Sequence, residues 1–176
     1  MAARRNIQVP FGFEAPDDSD FKGIVFVMDS FEGMTLQGMQ KLVAIADERR
    51  FNKLVLYPQN EQTLKRLGIK EETPYYKRID QLKDLIEEAG ATGLVTIDQW
   101  EGKRKKYTPI DTAVDFLTSK HEGPYFLCVY TTLANQMIAF TSFQTLIKQV
   151  RVLIMNDGKH PLREEWNAWQ HRWDLI

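Results

Sequence analysis

Four stretches of the chain are apolar at nearly every residue: Gly23-Ile24-Val25-Phe26-Val27-Met28, Leu54-Val55-Leu56-Tyr57, Tyr125-Phe126-Leu127-Cys128-Val129 and Val152-Leu153-Ile154-Met155. A strand that is apolar on both sides must be covered on both faces, as in a parallel sheet packed between helices. The segments between the runs supply those helices. Leu36, Met39, Val43 and Ala46 recur at helical spacing, with Lys41, Asp47, Glu48 and Arg49 facing away. A further helix starts near Pro74, carries Ile79, Leu82, Leu85 or Ile86, and Ala89, and stops at Gly90.

Residues 60–67 fit a short helix ending at Gly68, residues 93–97 a short strand, and Leu133 to Gln149 one long helix. Asp111 or Thr112 lies near the start of a helix containing Val114 and Leu117, where either residue type caps well. The alternation predicts an α/β fold: a Rossmann-like three-layer domain with a mostly parallel sheet of about five strands. Its expected organisation is an N-terminal arm over 1–22, an α/β domain over 23–158, and a Trp-rich helix over 159–176. That last helix would pack on the domain or on a partner.

The 176 residues carry 23 lysines and arginines against 24 acidic residues, so no global field favours nucleic acid or an anionic membrane. The one cysteine, Cys128, sits in an apolar run and reads as a small hydrophobe in a reducing compartment. Arg4 and Arg5 are not followed by the apolar stretch of a signal peptide. No run approaches the ~18 apolar residues of a membrane span. A cytoplasmic protein without a membrane partner is expected. The histidines are scattered, and Asp17, Asp18 and Asp20 lack calcium-loop spacing, so no metal site is expected.

Several strings add a more specific expectation. Phe31-Glu32-Gly33-Met34-Thr35-Leu36-Gln37-Gly38-Met39 follows the first strand, and Leu56-Tyr57-Pro58 ends the second. Tyr75-Tyr76-Lys77-Arg78-Ile79-Asp80-Gln81-Leu82, Tyr107-Thr108-Pro109-Ile110-Asp111-Thr112 and Tyr125-Phe126-Leu127-Cys128 come next in order. Across residues 23–158 this succession resembles the HIGH-type nucleotidyltransferases, and among them the nicotinate or nicotinamide mononucleotide adenylyltransferases. The resemblance implies a nucleotide site formed by Ser30, Phe31, Thr35, Gly38, Tyr107 and Thr108, with ATP arriving with magnesium. Tyr107, Thr108, Asp111 and Thr112 would face the pyridine nucleotide, although Asp111 and Thr112 also suit a helix start.

The departures from that family bear on chemistry. Its first motif reads Phe-Asp-Pro-x-His-x-Gly-His, and its two histidines stabilise the phosphates as pyrophosphate leaves. Here Thr35 takes the first histidine position, and Gly38 or Met39 the second. The family's Gly-x-Asp after the fourth strand reads Val129-Tyr130-Thr131, and its late Ile-Ser-x-Thr-x-x-Arg motif is absent from Met155-Asn156-Asp157-Gly158-Lys159-His160-Pro161. The expectation is a degenerate, non-catalytic adenylyltransferase-like domain that acts in protein assembly and retains nucleotide binding. The alternative is an active nucleotidyltransferase in which Thr35, Gln37 or Gln40 replaces the histidines and Lys103-Arg104-Lys105-Lys106 gathers phosphates.

Two features stand outside that scheme. The basic run 103–106 has only Trp100 and Tyr107 as neighbouring aromatic platforms, so nucleic acid is not the expected partner. Trp166, Trp169, Trp173 and Ile176 share one face if their segment is helical. Tryptophan is enriched at interface hot spots, which makes Trp166, Trp169 and Trp173 candidates for self-association or a protein partner.

Overall fold

The computed structural model describes residues 23–176; the arm over 1–22 lies outside them. In chain order the elements are β1 (Ile24–Asp29), α1 (Leu36–Glu48), β2 (Lys53–Pro58), α2 (Glu61–Arg66), α3 (Tyr75–Glu88) and β3 (Val95–Ile97). There follow α4 (Trp100–Arg104), α5 (Ile110–Lys120), β4 (Tyr125–Tyr130), α6 (Thr131–Met137), α7 (Phe143–Gln149) and β5 (Arg151–Met155). A 3-10 helix (Glu164–Arg172) and β6 (Trp173–Leu175) close the chain.

The strands form one sheet in the order β3-β2-β1-β4-β5-β6, every pair parallel. Each apolar run divides its side chains between two cores, as the two-residue period of a strand requires. Val25, Val27, Leu54, Leu56 and Leu153 meet Met39, Leu42 and Ala46 of α1 and Leu82 and Ile86 of α3. Ile24, Phe26, Met28, Val55, Leu127, Val129, Val152 and Ile154 meet α5, α6 and α7 through Val114, Leu117, Ala134, Met137, Leu146 and Ile147. The result is a three-layer, Rossmann-like domain. Among the described residues no helix is long and apolar enough to cross a membrane.

The structure departs from the sequence reading in three places. Residues 133–149 form two helices. Around 138–143 the amides of Ala139, Phe140 and Phe143 each reach back three residues, to Gln136, Met137 and Phe140. Such tight turns end one helix and re-aim the next, and Phe143 enters the core from the new direction. Second, α5 begins after Pro109, with no side-chain cap; Asp111 sits inside the first turn, where its charge complements the helix dipole.

The third departure is the C-terminus, which is no amphipathic helix. Trp169 breaks the 3-10 segment with non-helical angles (φ −119°, ψ 22°), and Trp173 begins β6, pairing with Val152. Strand pairing here satisfies the edge of β5 that a helix would have left open. Trp166 is fully buried in its own domain. Its Nε1 donates to Ala134 O at 3.1 Å, and its ring meets Phe143 edge-on at 5.2 Å. Trp173 Nε1 donates to Trp166 O at 2.8 Å. Asp174 locks the new edge by accepting from Arg151 at 2.8 and 3.0 Å and from Arg49 at 3.1 Å. Of the three tryptophans, Trp169 and Trp173 keep half-exposed flanks.

Candidate functional site

In an open parallel sheet, ligands bind beyond the carboxyl ends of the strands where the strand order reverses direction. Here that point lies between β1 and β4, and a cleft of about 460 Å³ opens there. The end of β1 supplies Asp29, Ser30 and Phe31, and α1 supplies Thr35 and Gly38. The end of β4 contributes Tyr130 and Thr132, that of β5 Asn156, Asp157 and Lys159, and the loop after α2 adds Lys70.

The turn out of β1 is strained and tightly held. Phe31 is a buried, non-glycine residue in the left-handed region (φ 60°), a conformation that costs on the order of 1–3 kcal/mol and concentrates at functional sites. Asp29 holds it by accepting from the Phe31 amide at 3.0 Å, and Ser30 Oγ accepts from the Glu32 amide at 3.1 Å. From the far side, Arg78 fixes the same turn. Its side chain is fully buried, and its guanidinium donates to Ser30 O at 2.6 Å, Gln59 O at 2.8 Å and Thr73 O at 3.0 Å. Arg78 is therefore a brace beneath the cleft.

Burial sets the protonation of Asp29. It pushes the carboxyl up to about 6, against the pull of the Phe31 and Ser30 amides and the positive charges of Arg78 and Lys159. Asp157 goes the other way. Partial burial works against its charge, but hydrogen bonds from Thr132 and from the Lys159 and His160 amides outweigh it and hold the carboxyl well below the usual range. One wall of the cleft thus carries a carboxyl whose neutral form burial favours, and the other a carboxyl whose hydrogen bonds favour the ionised form and shape the Lys159 loop.

The first-motif residues enter this cleft unequally. Thr35 caps α1, its Oγ1 accepting from the Gly38 amide at 3.0 Å, and its hydroxyl proton remains available to a ligand. Gly38 stands against Met34 and Thr35. A Cβ there would lie 3.1 Å from Met34 Sδ and 3.4 Å from Thr35 Oγ1, so any larger side chain displaces Met34. Gln37 and Gln40 are exposed and do not line the cleft, and none of the three histidines does.

Ser30, Phe31, Thr35 and Gly38 therefore line one cleft, and Tyr107 and Thr108 do not line it. Thr108 is buried, its amide bonded to Thr63 Oγ1 at 3.0 Å, and Tyr107 lies under Arg66, 5.0 Å from ring centre to guanidinium. Sequence reasoning passed over Asp29, Lys70, Asp157 and Lys159. The signal for three of them was positional: each sits just beyond the carboxyl end of a central strand. Among the described residues no three histidine, cysteine or carboxylate side chains converge as a metal-holding group.

Among solved structures, the chain is similar to the Plasmodium falciparum nicotinic acid mononucleotide adenylyltransferase complexed with NaAD. The TM-score is 0.67 at 14% sequence identity, over 88% of this chain and 74% of that one. A likeness at that identity shows a shared fold. No protein-family model matches the sequence, and no curated protein does.

Proposed function

We propose that this protein binds a phosphorylated nucleotide in the cleft between β1, β4 and β5 and does not transfer an adenylyl group. The observation that carries the reading is the composition of that cleft. Lys70 and Lys159 both line it, and the amino end of the thirteen-residue α1 opens into it at Thr35. Two ammonium groups, the positive end of a helix and a hydroxyl are the groups that suit a phosphate. The fold likeness to a protein complexed with NaAD points to the same ligand class.

The case against catalysis rests on the same residues. Adenylyl transfer needs donors aimed at the charge that develops as pyrophosphate leaves. The two histidine positions of the resembling family hold a capping threonine, Thr35, and the crowded Gly38. The proposed substitutes Gln37 and Gln40 face solvent. The cleft also carries Asp29, Glu32 and Asp157 against its two lysines, a balance that suits one phosphate better than magnesium-bound ATP with its several negative charges.

Thermal unfolding with AMP, nicotinate mononucleotide, nicotinamide mononucleotide and ATP plus magnesium tests the proposal, paired with a pyrophosphate-release assay. A mononucleotide at 100 times its dissociation constant adds about 2.7 kcal/mol, or roughly 5–10 °C in a chain of this length. The expected result is a shift with a mononucleotide and no pyrophosphate. Pyrophosphate release above the rate of the Thr35→Ala variant would restore the enzyme reading, and no shift with any nucleotide would remove binding as well.

A further inference from the structure

The basic run, its neighbours Trp100 and Tyr107, and Arg66, Phe116 and Lys120 from distant parts of the sequence form one built ridge in the fold. Arg104 lies over the Trp100 ring at 4.7 Å. The Trp100 ring stacks on Phe116 with centroids 4.0 Å apart and planes 9° from parallel, and Lys120 Nζ lies 5.4 Å from the Phe116 ring centre. Arg66, at the end of α2, covers Tyr107 in the same way, and Arg104 Nη2 donates to Tyr107 O at 3.4 Å. Each cation over a ring is held by the ring's negative face, which fixes long side chains that would otherwise sample many rotamers.

The backbone under the ridge is equally constrained. Glu101 is fully buried and accepts from Tyr57 Oη at 2.9 Å and from the Asn60 amide at 3.1 Å. Asn60 Nδ2 donates to Glu101 O and Lys106 O, both at 2.9 Å. Lys105 adopts the left-handed conformation (φ 56°), which ends α4 and turns the chain. Lys65, Arg66, Lys103, Lys105 and Lys106 are exposed around this anchored core. They stand out on a chain whose acidic residues outnumber its basic ones.

Beside the ridge lies a second cleft, of about 540 Å³. Lys105 and Gln62 line it together with Tyr75 and Tyr76. Tyr76 is 64% exposed, one of the two large apolar side chains that the described residues leave open to solvent. Gly102 sits so close to the Tyr75 ring that a Cβ would fall 2.5 Å from it, so the cleft depends on the missing side chain. A track of fixed and exposed cations beside an open aromatic ring is the arrangement that holds a single-stranded polynucleotide, with phosphates on the cations and a base on the ring.

We propose that the ridge of Arg66, Lys103, Arg104, Lys105 and Lys106 binds the phosphodiester backbone of a single-stranded nucleic acid, with one base stacked on Tyr76. The site is separate from the β1–β4–β5 cleft and does not depend on its ligand. The test is fluorescence anisotropy with labelled 20-mers of oligouridylate and oligothymidylate, between 50 and 300 mM salt, on the full chain.

If four to six phosphates are engaged, log K falls with log salt at a slope of about −3 to −4, and K103A/K105A/K106A removes about 2 of that slope. Tyr76→Ala weakens binding about tenfold at every salt concentration. Both sets of substitutions are at exposed positions, and unaltered melting temperatures would show that the fold is kept. Binding of both oligomers means the backbone alone is read; binding of the RNA alone means the 2′-hydroxyl is read as well. No binding at 50 mM salt overturns the proposal, as does a slope unchanged by the triple variant. Equal competition by polyglutamate of matched charge would replace it with a site for acidic peptides.

Discussion

Replacing Arg78 by methionine should be among the most damaging single changes to this protein. The guanidinium has no exposed surface and reaches three backbone carbonyls, those of Ser30, Gln59 and Thr73. Its ion pair to Glu61 spans 3.7 Å, and Glu61 is 42% exposed, so solvent screening leaves that contact a minor contribution. The hydrogen bonds decide the outcome. Each charge-assisted bond contributes about 1.5–3 kcal/mol, and the carbonyls left behind lose their donors in a water-poor site. The bonds share one side chain and do not add, so the expected loss is about 3–5 kcal/mol, the range for breaking a buried charged contact. At roughly 2–4 °C per kcal/mol for this chain length, melting falls by about 10 °C or more. Arg78→Lys recovers only part of this, because an ammonium cannot hold three divergent carbonyls in a planar fork. Differential scanning fluorimetry reads both variants. A methionine variant melting within 2 °C of the wild type would refute the brace, and with it the account of how the β1 turn is held.

Other perturbations follow from particular contacts. The folded-state pKa of Asp29 lies above its ordinary value, near 6, so its contribution to stability is complete below about pH 4 and is lost as pH rises through 6. Asp29→Asn should therefore raise the melting temperature at pH 7.5 and change it little at about pH 3.5; an equal change at both values would contradict the assignment. Trp166→Ala empties a fully buried site and removes the bond to Ala134; a loss of about 3–5 kcal/mol is expected, read by urea unfolding at a sedimentation coefficient that does not change. Gly23 has φ +104°, and a Cβ would stand 2.2 Å from Pro124 O. Gly23→Ala should lower the melting temperature by several degrees, whereas Gly33→Ala, with open space around it, costs only the strain of its positive φ.

The layers of the fold were legible because the apolar runs and helical stripes are long and their periods unambiguous. Boundaries set by tertiary contacts were not. Nothing in Leu133 to Gln149 announces the turn at 138–142, since a break there serves the packing of Phe143. The tryptophan spacing fits a helix face, yet a strand pairing with β5 satisfied more backbone groups and bound Asp174 to two arginines. Arg78 carried no local sign of burial, because the three carbonyls it serves come from separate segments.

At the site, the turn after β1 could be anticipated from its place in the chain. Lys70 could not, because it is carried into the cleft by the loop after a two-turn helix. Tyr107 and Thr108 followed from family likeness alone; in the fold Tyr107 meets Arg66 and Thr108 meets Thr63.

The most direct test of the central claim is calorimetric titration of AMP into the wild type and into the Lys70→Ala/Lys159→Ala double variant. The account predicts saturable binding to the wild type and at least a tenfold loss in the double variant, with the fold intact. Equal affinity in both proteins, or no binding to the wild type of millimolar AMP or of either pyridine mononucleotide, would contradict it.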